Sequence, residues 1–117
     1  MSKSPVDYLE HILIECEFIS NSLTEEVSKE EFLNDEKLKR AIVRSLEIIG
    51  EATKKIDADI KLKWSSIKWK NIAGMRDKLI HDYIGVNYSV VWDVAKNHIP
   101  DLTTQIKEVI ANEKNNF

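Results

Sequence analysis

One apolar stripe in the middle of the chain constrains its fold more than any other feature. Apolar or small side chains recur there at spacings of three and four, as Leu38, Ala41, Ile42, Ser45, Leu46, Ile49, Ala52 and Ile56. This is the spacing of one buried face of a long α-helix. Only three glycines and two prolines interrupt the 117 residues. The sequence therefore predicts an all-α fold, a single domain over residues 1–117 built as an antiparallel bundle of about four to five helices.

Start signals place the helices of the N-terminal half. Ser4, Pro5 and Asp7 have the pattern of an N-cap, a first-turn proline and a capping-box partner, and they predict a helix to about Ser22. Ser28 and Glu31 repeat the pattern before a short helical turn that should hold Phe32 inward. The long helix should then start at Asn34 or Asp35 and end near Asp57.

The C-terminal half is expected to hold three more helical segments. The apolar rhythm resumes over residues 71–83 and breaks at Gly85. Ser89 is the predicted cap of a short helix, and Pro100 should separate that helix from the last one, because proline disrupts a helix interior.

Cysteine usage and the N-terminus indicate the compartment. Cys16 is the single cysteine and lies on the apolar rhythm of the first helix, so we expect a buried structural thiol. A chain without a disulfide framework suits a reducing cytosol. The N-terminal segment has no signal-peptide pattern, and acidic residues interrupt its apolar positions. We therefore expect a soluble cytoplasmic protein with no membrane span.

Charge is distributed unevenly although the formal net charge is only −3. Residues 7–36 are strongly acidic, whereas residues 61–78 carry Lys61, Lys63, Lys68, Lys70, Arg76 and Lys78 against Asp77 alone, with Trp64 and Trp69 among them. Two interpretations stay open. The run is either a solvated helix junction with two core tryptophans or the rim of a groove for single-stranded nucleic acid, with Lys70 and Lys78 as substrate-binding residues.

The basic run leads into the motif with the clearest chemical potential, Arg76, Asp77, His81 and Tyr83. Arginine offers a planar fork of donors to phosphate oxygens, and histidine exchanges a proton near neutral pH. On one straight helix Asp77 lies above His81 and Arg76 lies in line with Tyr83, but Arg76 and His81 point apart. The geometry improves if the helix ends or bends near His81, which Gly85 permits, or if a second copy of the chain supplies the facing half of a cleft.

Other candidate sites are weak. His11 and His98 each lack a second ligand at a convincing spacing, so we predict surface or structural roles and no metal site. Val43 and Ile48, with the small Gly50, lie off the main stripe of the long helix and suggest surplus apolar surface for a partner.

The motif and its surroundings resemble the HEPN superfamily, and specifically the HepT-like toxins that accompany a minimal nucleotidyltransferase. The similarity rests on the Arg76-x4-His81-x-Tyr83 pattern, on Ile48-Ile49-Gly50-Glu51-Ala52, and on residues 69–77 and 81–86. Trp92 and the run Ile99-Pro100-Asp101-Leu102 extend it over nearly the whole chain. Asp77 departs from the pattern, since many members have asparagine there.

The resemblance implies a toxin of a type VII toxin-antitoxin system. Such a protein is a homodimeric, metal-independent endoribonuclease without a cofactor, acting on an RNA such as a tRNA or an mRNA. Arg76 and His81 would be catalytic, and Asp77 would orient the imidazole. Tyr83 would accept AMP from a cognate MntA-like nucleotidyltransferase, which is the antitoxin.

Two interpretations from other classes remain open on the sequence. The chain is alternatively a non-catalytic nucleotide- or RNA-binding subunit of a nucleotidyltransferase complex, or a helical adaptor that holds the nucleotidyltransferase near its substrate. A ribonuclease assay on the purified chain discriminates between catalysis and binding alone.

Overall fold

The computed structural model describes residues 4–81 and 85–115, with only the backbone described for Pro5, Ile80 and His81. Five α-helices come first: α1 (Pro5–Ser22), α2 (Lys29–Asn34), α3 (Glu36–Lys54), α4 (Ala58–Lys63) and α5 (Trp69–Ala73). A short α6 (Met75–Leu79) then leads into two strands, β1 (Ile80–His81) and β2 (Gly85–Val86). The described chain ends with α7 (Tyr88–Asp93), a π-helical segment (Val94–His98) and α8 (Ile99–Asn115).

The core lies where α1, α3 and α8 pack together. Each helix contributes side chains that are fully buried, including Ile12 of α1, Leu46 of α3 and Ile106 of α8. The predicted stripe on α3 faces this core, and the all-α bundle is confirmed. No described helix combines the length and apolar character needed to cross a membrane.

The predicted helix starts are confirmed in the N-terminal half. The Asp7 amide donates to Ser4 Oγ at 3.3 Å and the Ser4 amide donates to Asp7 Oδ2 at 3.0 Å, which completes a capping box. Ser28 and Glu31 form the second box, and Phe32 is fully buried. Asp35 caps α3 by accepting from the Leu38 amide at 3.0 Å. The helix ends at Lys54, slightly earlier than predicted.

The C-terminal helices differ from the prediction. The cap of α7 is Asn87, whose Oδ1 accepts from the Val90 amide at 3.2 Å, and Ser89 lies inside the helix. Pro100 does not separate two helices but lies in the first turn of α8, which continues directly from the π-helical segment. Proline removes one amide donor and crowds the carbonyl four residues earlier. The wider π turn, in which the Ile99 amide bonds to the Val94 carbonyl, accommodates it without ending the helix.

The helix of the motif region is also shorter than predicted. Instead of one helix over residues 71–83, α5 ends at the Gly74 cap and α6 ends at Leu79. The chain then forms an antiparallel pair with Ile80 opposite Val86 and His81 opposite Gly85. Gly85 has a φ of 108°, a conformation that favours glycine over any other residue.

Cys16 is a free, buried cysteine, as predicted from its place on α1. Burial raises its pKa from 9.0 to about 11, against a smaller opposite effect of a hydrogen bond with Thr103. The thiolate is the reactive form of cysteine, so the folded protein suppresses its reactivity.

We expect native Cys16 to resist iodoacetamide at pH 8 and to react fully in guanidinium chloride. A raised folded-state pKa also stabilises the protein only while the thiol keeps its proton. The free energy of unfolding should therefore fall by about 2 kcal/mol as the pH rises from 9 to 11, an effect that Cys16→Ala removes. If the free energy of unfolding falls equally with pH in the wild-type protein and in Cys16→Ala, the raised pKa of Cys16 is contradicted.

Candidate active site

The motif helix α6 is positioned by its packing on α3. Gly50 of α3 is buried beneath the last turn of α5, where the carbonyl oxygens of Ile72 and Ala73 lie 3.4 Å from the place of a Cβ atom. This close approach lets α5 and α6 lie against the long helix. The arrangement directs one face of α6 toward the middle of α3.

Arg76 extends from that face to Glu47 of α3. Its Nε donates to Glu47 Oε2 at 3.2 Å, with the arginine side chain 51% exposed and the glutamate 25% exposed. Within residues 4–81 and 85–115, no other hydrogen bond uses the guanidinium. Glu47 therefore holds the inner nitrogen, and the outer fork of donors meets no acceptor among the described residues.

The other predicted polar residues of the motif helices lie at the surface. Asp77 and Lys78 are exposed on α6, and Lys70 is exposed on α5. Lys78 borders a cavity between α6 and α8, whereas Lys70 does not.

His81 lies in β1, two residues beyond the end of α6. Its backbone is held by the pairing with Gly85, and the Asn87 amide closes the base of the strand pair by donating to the Leu79 carbonyl at 3.1 Å. The His81 side chain and the whole of Tyr83 lie outside the described residues. The structure thus gives the path of the backbone at His81.

This path corrects the single-helix geometry of the motif. Two side-chain alignments were predicted from a single helix, namely Asp77 above His81 and Arg76 in line with Tyr83. Both assumed a helix that continues past Leu79. The helix ends there, so neither alignment applies. A more favourable geometry was expected if the helix ends near His81. The structure meets this condition, because α6 ends at Leu79.

Of the two tryptophans in the basic run, Trp69 belongs to the packed interior and Trp64 packs against it half-buried. Trp69 is 7% exposed, and its Nε1 donates to the Trp64 carbonyl at 3.1 Å. Lys63 is also engaged, since its Nζ bonds Asn112 and Glu113 of α8 at 3.0 and 3.1 Å. The tryptophans therefore favour the helix-junction interpretation, while Lys68, Lys70 and Lys78 remain exposed.

The surplus apolar surface lies elsewhere than predicted. Val43 and Gly50 are buried within the chain itself, and Ile48 is half-buried. Among the described residues, large apolar side chains are exposed at Ile14 and Phe18 of α1, at 61% and 43%, and also at Leu62 of α4 and Val90 of α7. The residues chosen from the sequence were wrong because α3 is covered on more sides than one stripe suggests.

Glu47 is the residue of this region that sequence reasoning missed. It lies 29 positions before Arg76, so no local spacing connects the two. The available signal was weak: an acidic residue directly before the Ile48-Ile49-Gly50 run of the long helix.

Comparisons with known proteins identify the family of the chain. The protein family described as Ribonuclease HepT-like matches residues 12–109. The chain is 52% identical over 112 residues to "Putative RNase TTE0752" of Caldanaerobacter subterraneus subsp. tengcongensis, covering 96% of this chain and 99% of that protein. It is 44% identical over 109 residues to "Probable ribonuclease HepT" of Thermococcus cleftensis, covering 93% and 98%. No solved structure matches the chain significantly. The chain therefore belongs to the HepT-like ribonuclease family.

Proposed function

We propose that the protein is an endoribonuclease that cleaves single-stranded RNA as a homodimer and serves as the toxin of a type VII toxin-antitoxin system. The observation that carries the catalytic part is the Arg76–Glu47 pair next to the strand that bears His81. Family membership supports ribonuclease activity, because the relatives above are named as RNases.

In the proposed reaction the 2′-hydroxyl of one nucleotide attacks the adjacent phosphate and the 5′-oxygen of the next nucleotide leaves. His81 takes the proton from the 2′-hydroxyl or gives a proton to the leaving oxygen, since a group with a near-neutral pKa serves either role. The outer donors of Arg76 bind the phosphate and stabilise the charge that develops on it. Asp77 orients the imidazole, and Lys70 and Lys78 contact the RNA backbone. His81 makes one of the two proton transfers and water makes the other, so neither requires a metal ion.

The 2′-hydroxyl gives a direct test of this chemistry. We expect the purified chain to cleave a single-stranded oligoribonucleotide in the presence of EDTA and to leave a 2′,3′-cyclic phosphate. The same oligonucleotide with 2′-O-methyl groups should resist cleavage. Cleavage of the methylated strand, or products without the cyclic phosphate, would contradict the mechanism.

The exposed surface of α1 and α3 supports a dimer. Ile14 and Phe18 border a shallow depression with Ala41 and Arg44 of α3. Arg44 lies three residues before Glu47, which makes them neighbours on the helix surface. The depression thus reaches to within one helical turn of Glu47, and we expect a two-fold contact across it to bring the Arg76–Glu47 pairs of two copies near each other.

The Arg76–Glu47 pair gives a second prediction. Glu47→Ala should lower kcat/KM for RNA cleavage about tenfold, because Arg76 loses the acceptor that holds its guanidinium in place. Glu47→Gln keeps an oxygen acceptor and should restore most of that loss. Because the pair is partly exposed, the unfolding free energy should change by only about 1 kcal/mol or less.

The matched control is Glu36→Ala, which removes a carboxylate that pairs with Lys39 at the start of α3, away from Glu47. This variant should cleave RNA at the wild-type rate. If Glu47→Ala and Glu36→Ala behave alike, Glu47 does not position Arg76.

A further inference from the structure

A cavity lies on the side of α6 away from Arg76. It has a volume of about 390 Å³ and opens between α5, α6 and the helical run of residues 94–105. Met75 and Lys78, three positions apart, both border it. Arg76 projects from α6 to Glu47 of α3 instead, so the cavity is separate from the Arg76–Glu47 pair.

The floor of the cavity is apolar. It is lined by Ile72, Met75, Val94, Ile99 and Leu102. Met75, Ile99 and Leu102 are themselves buried, so the floor is part of the packed interior and not a loose surface. Such a surface accepts the face of a flat ring and offers nothing to an inorganic anion.

The rim is polar and cationic. Lys68 and Lys78 border the opening, and neither forms an ion pair or hydrogen bond with another residue that the structure describes. Asp101 is the one carboxylate among the lining residues, opposed by these two lysines. The side-chain amides of Asn71 and Gln105 add donors and acceptors beside the apolar floor.

The π-helical segment shapes the wall opposite α6. Val94 and His98, its first and last residues, both line the cavity. The exposed His98 has Asp93 as an acidic neighbour, with 3.7 Å between Nε2 and Oδ2. Segments of this kind frequently occur at functional sites, and this one follows from the accommodation of Pro100.

We propose that this cavity binds a nucleoside phosphate, with the base on the apolar floor and the phosphate between Lys68 and Lys78. The volume is that of a small-ligand site, and a flat heteroaromatic ring joined to a phosphate matches an apolar floor beside two lysines that have no ion-pair partner among the described residues. The amides of Asn71 and Gln105 pair with the base edge. The ligand is a free mononucleotide or one nucleotide of a single strand, and the inference does not depend on cleavage.

Amide NMR titrations of the full chain test the proposal with 5′-AMP, 5′-UMP, adenosine, inorganic phosphate and a cleavage-resistant 2′-O-methyl oligoribonucleotide. We expect shift changes centred on the cavity residues for the mononucleotides, for the oligonucleotide, or for both. Binding of the mononucleotides identifies the free source, and binding of the oligonucleotide alone identifies the strand. Adenosine and phosphate should each bind more weakly than 5′-AMP.

Two double variants distinguish nucleotide binding in the cavity from a general effect of positive charge, and a third variant fills the cavity. The double variant Lys68→Ser/Lys78→Ser should raise the Kd for the nucleotide about a hundredfold, since each lost charged contact is worth about 1.4 kcal/mol, a factor of ten. Lys37→Ser/Lys107→Ser removes the same charge from exposed positions on α3 and α8 and should leave the Kd unchanged. Gln105→Trp, which fills the cavity from its half-buried rim without changing charge, should abolish binding.

Three results would overturn the proposal. The first is an absence of amide chemical-shift changes with every ligand. The second is an equal weakening of nucleotide binding in the two double-lysine variants, and the third is binding of inorganic phosphate as strong as that of 5′-AMP. Nucleotide binding in the cavity of a chain that cleaves no RNA would refute the proposed ribonuclease function and leave this inference standing.

Discussion

Cleavage of single-stranded RNA should be lost in His81→Ala and Arg76→Ala while the fold is retained. Removing a general acid or base costs about 10²- to 10⁴-fold in rate. Removing a donor that stabilises developing charge costs about 10²- to 10³-fold. Arg76→Lys keeps the charge but loses the planar fork, so its rate should lie between those of wild type and Arg76→Ala. The measurement is kcat/KM on a fluorescent single-stranded oligoribonucleotide, with circular dichroism as the check on folding.

Mixing the two inactive variants extends this test to the dimer. If each site combines Arg76 of one copy with His81 of the other, a heterodimer of Arg76→Ala and His81→Ala retains one intact site. Co-refolding should then restore about one quarter of wild-type activity, from the statistical share of heterodimers. No recovery would place both residues of a site in the same chain, and wild-type cleavage in His81→Ala would exclude His81 from catalysis.

Tyr83→Phe should make the ribonuclease insensitive to its proposed antitoxin. The HepT-like resemblance assigns Tyr83 as the acceptor of AMP, and the phenol oxygen is the only atom that this substitution removes. An added nucleotide brings negative charge and bulk beside the motif, and both exclude an RNA phosphate. We therefore expect partner and ATP to abolish cleavage by the wild-type chain and to leave the cleavage by Tyr83→Phe unchanged.

Intact-mass measurement connects the loss of activity to the modified residue. The wild-type chain should gain one or more AMP units after incubation with partner and ATP, and Tyr83→Phe should gain none. Tyr88→Phe is the matched control, since Tyr88 is a half-buried tyrosine at the start of the next helix. AMP units that persist on Tyr83→Phe would locate the switch at another residue.

Local sequence signals were sufficient for the elements whose cause is local. The capping boxes at Ser4 and Ser28 depend on side chains three residues apart, and the structure has both. The α3 stripe and the buried Cys16 follow from helical periodicity. The residues of the candidate site were also named from the sequence, because Arg76 and His81 are chemically distinctive and lie in a motif similar to that of a known family.

Features that depend on long-range contacts required the tertiary structure. Pro100 predicted a helix break, yet a π turn on the packed C-terminal helix accommodates it. The rhythm of residues 71–83 predicted one helix, but Gly74 and the strand pairing of His81 with Gly85 divide it. In both places the backbone conformation depends on which amide and carbonyl groups the tertiary fold brings within hydrogen-bonding distance.

The sequence alone determined the helical class, the principal core faces and the chemical identity of the motif, since each depends on residue type and short spacing. Only the tertiary structure decided that Arg76 meets Glu47, and that Lys68 and Lys78 share a cavity with α8. Contacts between residues 29 positions apart arise from the packing of α6 on α3, which no local pattern encodes. The free energy that selects them is distributed over the whole interface between the helices.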